Sequence, residues 1–306
     1  MGTAHLGLGT AHRSMRITAK AYAKLNLTLE VLGKRSDGYH DIAGVFQTIS
    51  LADDLTFEPA EALTLACDSA PLADDDNLVL RAARLLQQRG GTTAGAAITL
   101  SKGIPVAAGL GGGSVDAAVT LLALNQLWRL KLGPGILRGI AAEVGSDVPY
   151  LLHGGTARIE GRGEVVTPLA PMRPHHFVIV TPALQPQNKT AAMYQRLEPR
   201  HFTQGRVTKI LADAVQRGLP LREPWQFNAF DAVAFNAHPE LHSWRAELVL
   251  AYFRRPHLCG AGPSLFMPVD SMADAEGLVA RLPLAPGEQA FAVVTVPASA
   301  EFTFTE

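Results

Sequence analysis

Apolar and polar residues alternate over residues 17–31. Leu25, Leu27, Leu29 and Val31 share one face, and Lys24, Asn26, Thr28 and Glu30 share the other. A period of two predicts a half-buried strand, with Lys24 and Asn26 side by side on its wet face. Ser36-Asp37-Gly38 predicts a turn, and strands are expected over 44–50 and 54–58. Asp76-Asn77 is a helix cap, followed by the stripe Leu78, Val79, Ala82, Leu85 and Leu86 and stopped by Gly90-Gly91. A strand over 96–102 leads through a glycine-rich loop into a helix over about 114–130, closed by Gly133-Pro134. A helix over 136–144, a loop at Gly145-Ser146-Asp147-Val148-Pro149 and a hairpin over 156–169, turning at Gly161-Arg162-Gly163, complete the first half.

Three prolines fall within residues 168–174, and we expect a domain boundary there. Beyond it the pattern predicts a strand over 177–181 and a polar loop over 185–190. Helices follow over 207–217 and 231–253, then a second glycine-rich turn at Cys259-Gly-Ala-Gly-Pro-Ser264 opening a strand. A helix over 272–282 and a strand over 290–296 close the series. The fold class is α+β in two parts, 15–168 and 169–306, behind a loose tail at 1–14.

Composition narrows the function. The chain has 306 residues, 47% of them hydrophobic, enough to bury a core. Its 27 basic and 28 acidic residues leave a net charge of −1. There is no basic surplus for nucleic acid, so a polyanionic partner has to be met by a local site. Cys67 and Cys259 stand far apart, which gives no disulfide framework or zinc spacing and fits a reducing cytoplasm. No apolar run reaches the roughly 20 residues of a membrane span. Residues 1–14 lack the pattern of a secretory signal, and Met15 is the expected start of the folded part.

The strongest chemical signal lies at Val106–Ala118, where Gly109, Gly111, Gly112 and Gly113 fill four of five positions before an apolar segment. Close strand and helix signals on both sides argue against a linker. A P-loop needs Lys-Ser or Lys-Thr after its last glycine, and Ser114-Val115 stands there. A dinucleotide fingerprint is matched only in degenerate form. A tight strand-to-helix turn without a ligand stays open. So does a phosphate cradle, in which converging backbone N–H groups, the helix N-terminus and the Ser114 hydroxyl hold an anion without a lysine of the loop's own.

Pro105-Val-Ala-Ala-Gly-Leu-Gly-Gly-Gly-Ser114 resembles the ATP loop of the GHMP kinases. Further blocks follow that family in order: Ala23-Lys-Leu-Asn26, Asp37-Gly-Tyr-His40, Asp76-Asn-Leu-Val79 with Arg81-Ala-Ala83, Gly145-Ser-Asp-Val-Pro149, and Cys259 to Ser264. Within the family the blocks look like the branch that phosphorylates the 2-hydroxyl of a diphosphocytidyl-linked methylerythritol in non-mevalonate isoprenoid synthesis. The resemblance implies a two-domain GHMP fold with its active site in the cleft, ATP as co-substrate and Mg²⁺ with ligands unassigned. It also implies a cytoplasmic enzyme, monomer or homodimer, with no nucleic-acid or membrane partner. ATP would be held by Pro105, Val106, Ala107, Ala108, Gly109, Leu110, Gly111, Gly112, Gly113, Ser114 and Val115, with Asn77 on the adenine side. Asp147 would orient the acceptor hydroxyl and take its proton, and Lys24 would keep Asp147 ionised beside the γ-phosphate. Asn26 would lie with them. Tyr39 would stack on the cytosine, His40 would read its edge, and Tyr194, with Thr190 nearby, would stand on the far side of the ring.

Three places depart from the family pattern. Val115 stands where a serine is usual and leaves that position without a hydroxyl. Cys259 and Ala261 replace serines in the last glycine turn, and Asn228-Ala-Phe-Asp231 partly matches an Asn-Asp-Phe-Glu segment. Alternatives are another GHMP kinase, of homoserine or mevalonate type, or a ligand-binding relative without catalysis. Asp37-Gly-Tyr-His40 separates the first alternative, because those substrates offer no base to stack.

Overall fold

The computed structural model describes residues 15–69, 77–184 and 189–305. The tail at 1–14, Asp76 of the expected cap and residues 185–188 of the polar loop lie outside the described residues.

Two long antiparallel strands, β1 (Arg16–Lys34) and β2 (His40–Ala60), form the spine of the first sheet. The turn between them is closed by Arg35 N–H donating to Tyr39 O and by the Asp37 carboxylate accepting from Tyr39 N–H. The two strands expected over 44–50 and 54–58 are one, since Ala52 and Asp53 pair with Tyr22 and Ala21 of β1. Asp53 is a poor strand former, but here it is fully buried and satisfied. Its Oδ1 accepts from the N–H groups of Gly103 and Ile104, and its Oδ2 pairs with Lys102.

β3 (Leu63–Cys67) and β4 (Gly95–Ser101) extend the sheet past the far half of β2, and β5 (Thr156–Gly161) with β6 (Val165–Pro168) flank its near half. On this sheet lie α1 (Leu78–Gly90), α2 (Gly112–Leu127) and the short α4 (Val148–Leu151), with α3 (Pro134–Val144) packed against these helices. The hairpin at Gly161–Gly163 is as expected. α2 is buried almost all round, from Val115 to Leu127, as a helix apolar on every side must be.

β7 (His176–Thr181) opens a second sheet. α5 (Lys189–Arg196), α6 (Arg206–Gln216) and β8 (Phe227–Asn228) follow, then α7 (Asp231–Ala237), α8 (Glu240–Tyr252), β9 (His257–Leu258), β10 (Leu265–Val269), α9 (Met272–Val279), β11 (Gln289–Val294) and β12 (Ala300–Thr305). Among the described residues this sheet has the order β11-β7-β10-β9. The helix expected over 231–253 is two helices, broken at His238-Pro239, where proline supplies no N–H and disfavours helical geometry in the residue before it. β8 pairs in parallel with β1 and β12 pairs antiparallel with it. The segment after residue 168 therefore contributes to both sheets. β12 lies beyond the last strand expected, at 290–296, and its Ala300, Phe302 and Phe304 alternate with Glu301, Thr303 and Thr305.

The polar face of β1 is not wet. Lys24, Asn26, Thr28 and Glu30 are all buried. A period of two separates the faces of a strand, but it does not say what covers them. α6 packs over the outer part of this face, where Glu30 accepts from Thr208 N–H and the Thr28 and Thr208 hydroxyls bond each other. The inner part, Lys24 and Asn26, borders a cavity.

Candidate active site

That cavity is about 1080 Å³ in volume, the size of a pocket for a large ligand or two smaller ones. The β4–α2 loop forms one wall. Gly109 has φ +88°, and a Cβ on it would lie 2.0 Å from the Cys259 carbonyl oxygen, so the two glycine-rich turns meet back to back here. Leu110 O accepts from Lys24 N–H, and Ala108 O accepts from Ser264 N–H. α2 begins after Gly111 with no side-chain cap. Gly112, Gly113 and Ser114 have no carbonyl one helical turn earlier to bond, and they line the cavity.

Of the residues expected to bind ATP, all line the cavity except Val115. The Val115 side chain is fully buried in the core, and its N–H donates to Gly111 O. It has neither a side chain nor an unpaired N–H to offer a ligand. Asn77 is a helix cap as predicted, its Oδ1 accepting from Val79 N–H at 2.8 Å, and it lines the cavity as well.

Lys24 is the electrostatic centre. It is 3% exposed. Its Nζ donates to Asn26 Oδ1 at 2.8 Å and Gly109 O at 3.3 Å, and lies 3.3 Å from Asp147 Oδ2. These three acceptors match the three hydrogens of an ammonium. Asp147 stands at the N-terminus of α4. Its loop is braced by the hairpin: a Cβ on Gly163, at φ +120°, would lie 2.7 Å from Ser146 O. The same turn delivers Arg162 to the cavity.

The aromatic residues gather at the other end. Tyr39, His40, Thr190 and Tyr194 all line the cavity. Tyr39 is 52% exposed, with the Arg162 guanidinium 4.5 Å from its ring centre. Tyr194 stacks on His40, 4.8 Å between centres and nearly parallel, and makes a T-shaped contact with Phe230. Burial, helped by the charge of Lys34, lowers the His40 pKa and keeps the imidazole neutral at pH 7. Burial and the Asp147 charge raise the Tyr194 pKa, so its hydroxyl stays protonated.

Several site residues were missed in the sequence. Lys102, at the end of β4, sits beneath the glycine loop, 2.5 Å from Asp53 Oδ2 and 2.9 Å from Asp116 Oδ2. Burial opposes its charge, but the two carboxylates outweigh burial and raise its pKa. Burial and the neighbouring Asp53 push Asp116 well above the usual carboxylate range, against the pull of Lys102. Among the described residues, no hydrogen-bond partner reaches the buried Asp116 Oδ1. Lys102 stands just before the loop and Arg162 between two glycines, and both positions were readable as loop-borne charges. The burial of Asp116 had no sequence signal.

A glycine-rich helix N-terminus, the Lys24–Asp147 ion pair and an aromatic cluster share one cleft, as a kinase of small molecules would need. Residues 77–155 match the family described as GHMP kinases N terminal domain. A 4-diphosphocytidyl-2-C-methyl-D-erythritol kinase of Dehalococcoides mccartyi is 41% identical over 281 residues, 92% of this chain and 98% of that one. One of Pelotomaculum thermopropionicum is 41% identical over 87% of this chain and 94% of its own. A crystal structure of 4-(cytidine 5'-diphospho)-2C-methyl-D-erythritol kinase superposes with a TM-score of 0.77 at 33% identity, covering 91% of this chain and 98% of that one. A homoserine kinase from Cytophaga hutchinsonii shares the fold, with a TM-score of 0.67 at 15% identity over 94% and 97% of the two chains. The chain belongs to the GHMP kinases and, within them, to the family of 4-diphosphocytidyl-2-C-methyl-D-erythritol kinases.

Proposed function

We propose that this protein transfers the γ-phosphoryl group of ATP to the 2-hydroxyl of 4-diphosphocytidyl-2-C-methyl-D-erythritol. The observation that carries the reading is the 3.3 Å pair of Lys24 and Asp147, set between the glycine loop and the aromatic residues. The loop and the first turn of α2 hold the ATP phosphates. Tyr39, His40 and Tyr194 hold the cytosine, with Thr190 beside them, and Asn77 borders the adenine. Lys34 and Arg162, which also line the cleft, offset the charge of the diphosphate.

Asp147 accepts a hydrogen bond from the 2-hydroxyl and aims its oxygen at the γ-phosphorus. The bond from the γ-phosphorus to the bridging oxygen breaks, a bond to the substrate oxygen forms, and the proton passes to the Asp147 carboxylate. A loose transition state needs that proton removed late, so orientation is the larger part of the Asp147 role. Lys24 offsets the charge collecting on the transferred group.

A magnesium ion fits the residues present. Asp116 Oδ1 is a buried oxygen with no hydrogen-bond partner among the described residues, and with the Ser114 hydroxyl it would hold the ion. One or two protein oxygens plus phosphates is the usual way this cation is bound. Held there, the ion would offset negative charge on the ATP phosphates.

The test is ADP release, coupled to a reporter, with the cytidine substrate, homoserine and mevalonate in parallel. Turnover with the cytidine substrate alone is expected. Turnover only with homoserine or mevalonate would overturn the substrate assignment, and nucleotide binding without ADP would overturn the kinase assignment.

A further inference from the structure

The segment Asn228-Ala229-Phe230-Asp231 has no part in the reading above, yet it grips the second glycine turn. Asn228 is 3% exposed. Its Nδ2 donates to Leu258 O at 2.9 Å and to Gly260 O at 2.7 Å, and its Oδ1 accepts from Phe230 N–H at 2.9 Å. Both amide hydrogens are used. Asp231 takes the other side of the same backbone, accepting from Leu258 N–H. Asn228 also pairs with Leu29 of β1, three residues beyond Asn26. One residue thus ties the strand that carries Lys24, through its backbone, to the turn that closes over Lys24, through its carboxamide.

The closeness of that turn gives the tie a chemical consequence. Gly260 and Ala261 line the cavity. A Cβ on Gly260 would lie 3.3 Å from Asn26 Oδ1 and 3.4 Å from Lys24 Nζ. In a trans peptide the C=O and the following N–H point in opposite directions. With Gly260 O drawn to Asn228, the N–H of Ala261 points away from Asn228. Released from Asn228, the same peptide could rotate and bring a carbonyl oxygen toward the phosphates.

We propose that Asn228 is a positioning residue: it fixes the Gly260–Ala261 peptide so that the Ala261 N–H, and not a carbonyl oxygen, is offered to the anionic groups bound beside Lys24. The proposal rests on the kinase reading. Its effect falls on the geometry of transfer, where a misplacement of about 1 Å costs on the order of a hundredfold.

Two measurements test it. The first is steady-state kinetics of Asn228→Leu, which keeps the bulk and loses every bond, and Asn228→Ser, which keeps one hydroxyl donor. The amount of folded protein is counted by stoichiometric binding of a non-hydrolysable ATP analogue. We expect kcat per folded molecule to fall roughly ten- to hundredfold in the leucine variant and less in the serine variant, with both KM values within about threefold. A lower Tm with wild-type kcat per folded molecule would make Asn228 merely structural and overturn the proposal. The second uses ¹⁵N-labelled wild-type protein, so it stands even if the variants do not fold. The Ala261 amide resonance is expected to shift and to exchange more slowly when the ATP analogue and the cytidine substrate are bound, and an unmoved Ala261 signal overturns the proposal. Lack of turnover by the wild-type protein would instead count against the kinase reading, which separates the two failures.

Discussion

Lys24 and Asp147 show how burial changes the meaning of a charge. On an exposed strand a lysine paired with an aspartate contributes little. Here the lysine is almost fully enclosed and its three acceptors are fixed, so its position is set before any ligand arrives. Asp147→Asn and Lys24→Ala are each expected to lower kcat by roughly 10² to 10⁴, read by ADP release from protein of unchanged far-UV circular dichroism. Near-wild-type kcat in either variant would remove the assignment. Tyr39 is exposed and anchors nothing in the core. Loss of a stacked base costs on the order of 1–3 kcal/mol. Tyr39→Ala should therefore raise KM for the cytidine substrate about 5- to 150-fold and leave KM for ATP unchanged. An equal rise in both would place the cytosine elsewhere. The types and rough placement of these residues were legible in short blocks. The stacking of Tyr194 on His40 was not, because a helix and a strand far apart in sequence meet only in the folded chain.

At the scale of elements, local pattern carried most of the outline. The cap at Asn77, the stop at Gly91, the hairpin at Gly161–Gly163 and the strand β7 lie where period, caps and glycines put them. The misses have physical reasons. β2 runs through a buried aspartate that Lys102 and the N–H groups of Gly103 and Ile104 make tolerable. The helix from Asp231 breaks at His238-Pro239, although the apolar period runs on through the break. The glycine loop was legible as an anion cradle, but not its contact with the second glycine turn, a meeting of backbones 150 residues apart. Gly109→Ala tests that contact. With its Cβ 2.0 Å from a carbonyl oxygen, the loop has to move. A fall in Tm and a loss of ATP binding are expected together, since the same backbone serves both. An unchanged Tm with tight ATP binding would mean that the two turns do not touch.

At the scale of the whole molecule, the two sheets meet where β11 packs on β2, and the last third of the chain returns to the first sheet as β8 and β12, the neighbours of β1. That return was the least legible feature, since strand pairing over such distances leaves no local trace. It also buries charge. Burial raises Asp231 to a pKa of about 6, against the pull of Arg255 and Arg245 and its bond from Leu258 N–H. Between about pH 4 and 6 the folded state keeps a proton that the unfolded chain has released, so this group costs stability as pH rises through that window and the cost is complete above it. Asp231→Asn is therefore expected to gain Tm relative to the wild type as pH rises from 4 to 7, measured by differential scanning calorimetry. A difference independent of pH would show that Asp231 titrates as an ordinary carboxylate.

All of these parts meet in one claim, that the cleft phosphorylates the 2-hydroxyl of a cytidine-diphosphate-linked polyol. The most direct measurement is ³¹P NMR of the product formed by the wild-type protein from ATP and 4-diphosphocytidyl-2-C-methyl-D-erythritol. One new phosphomonoester is expected, located at carbon 2 by carbon–phosphorus coupling, with the diphosphate intact and one ADP per product. A phosphate at another hydroxyl, a cleaved diphosphate, or ADP formed without a phosphorylated product would contradict it.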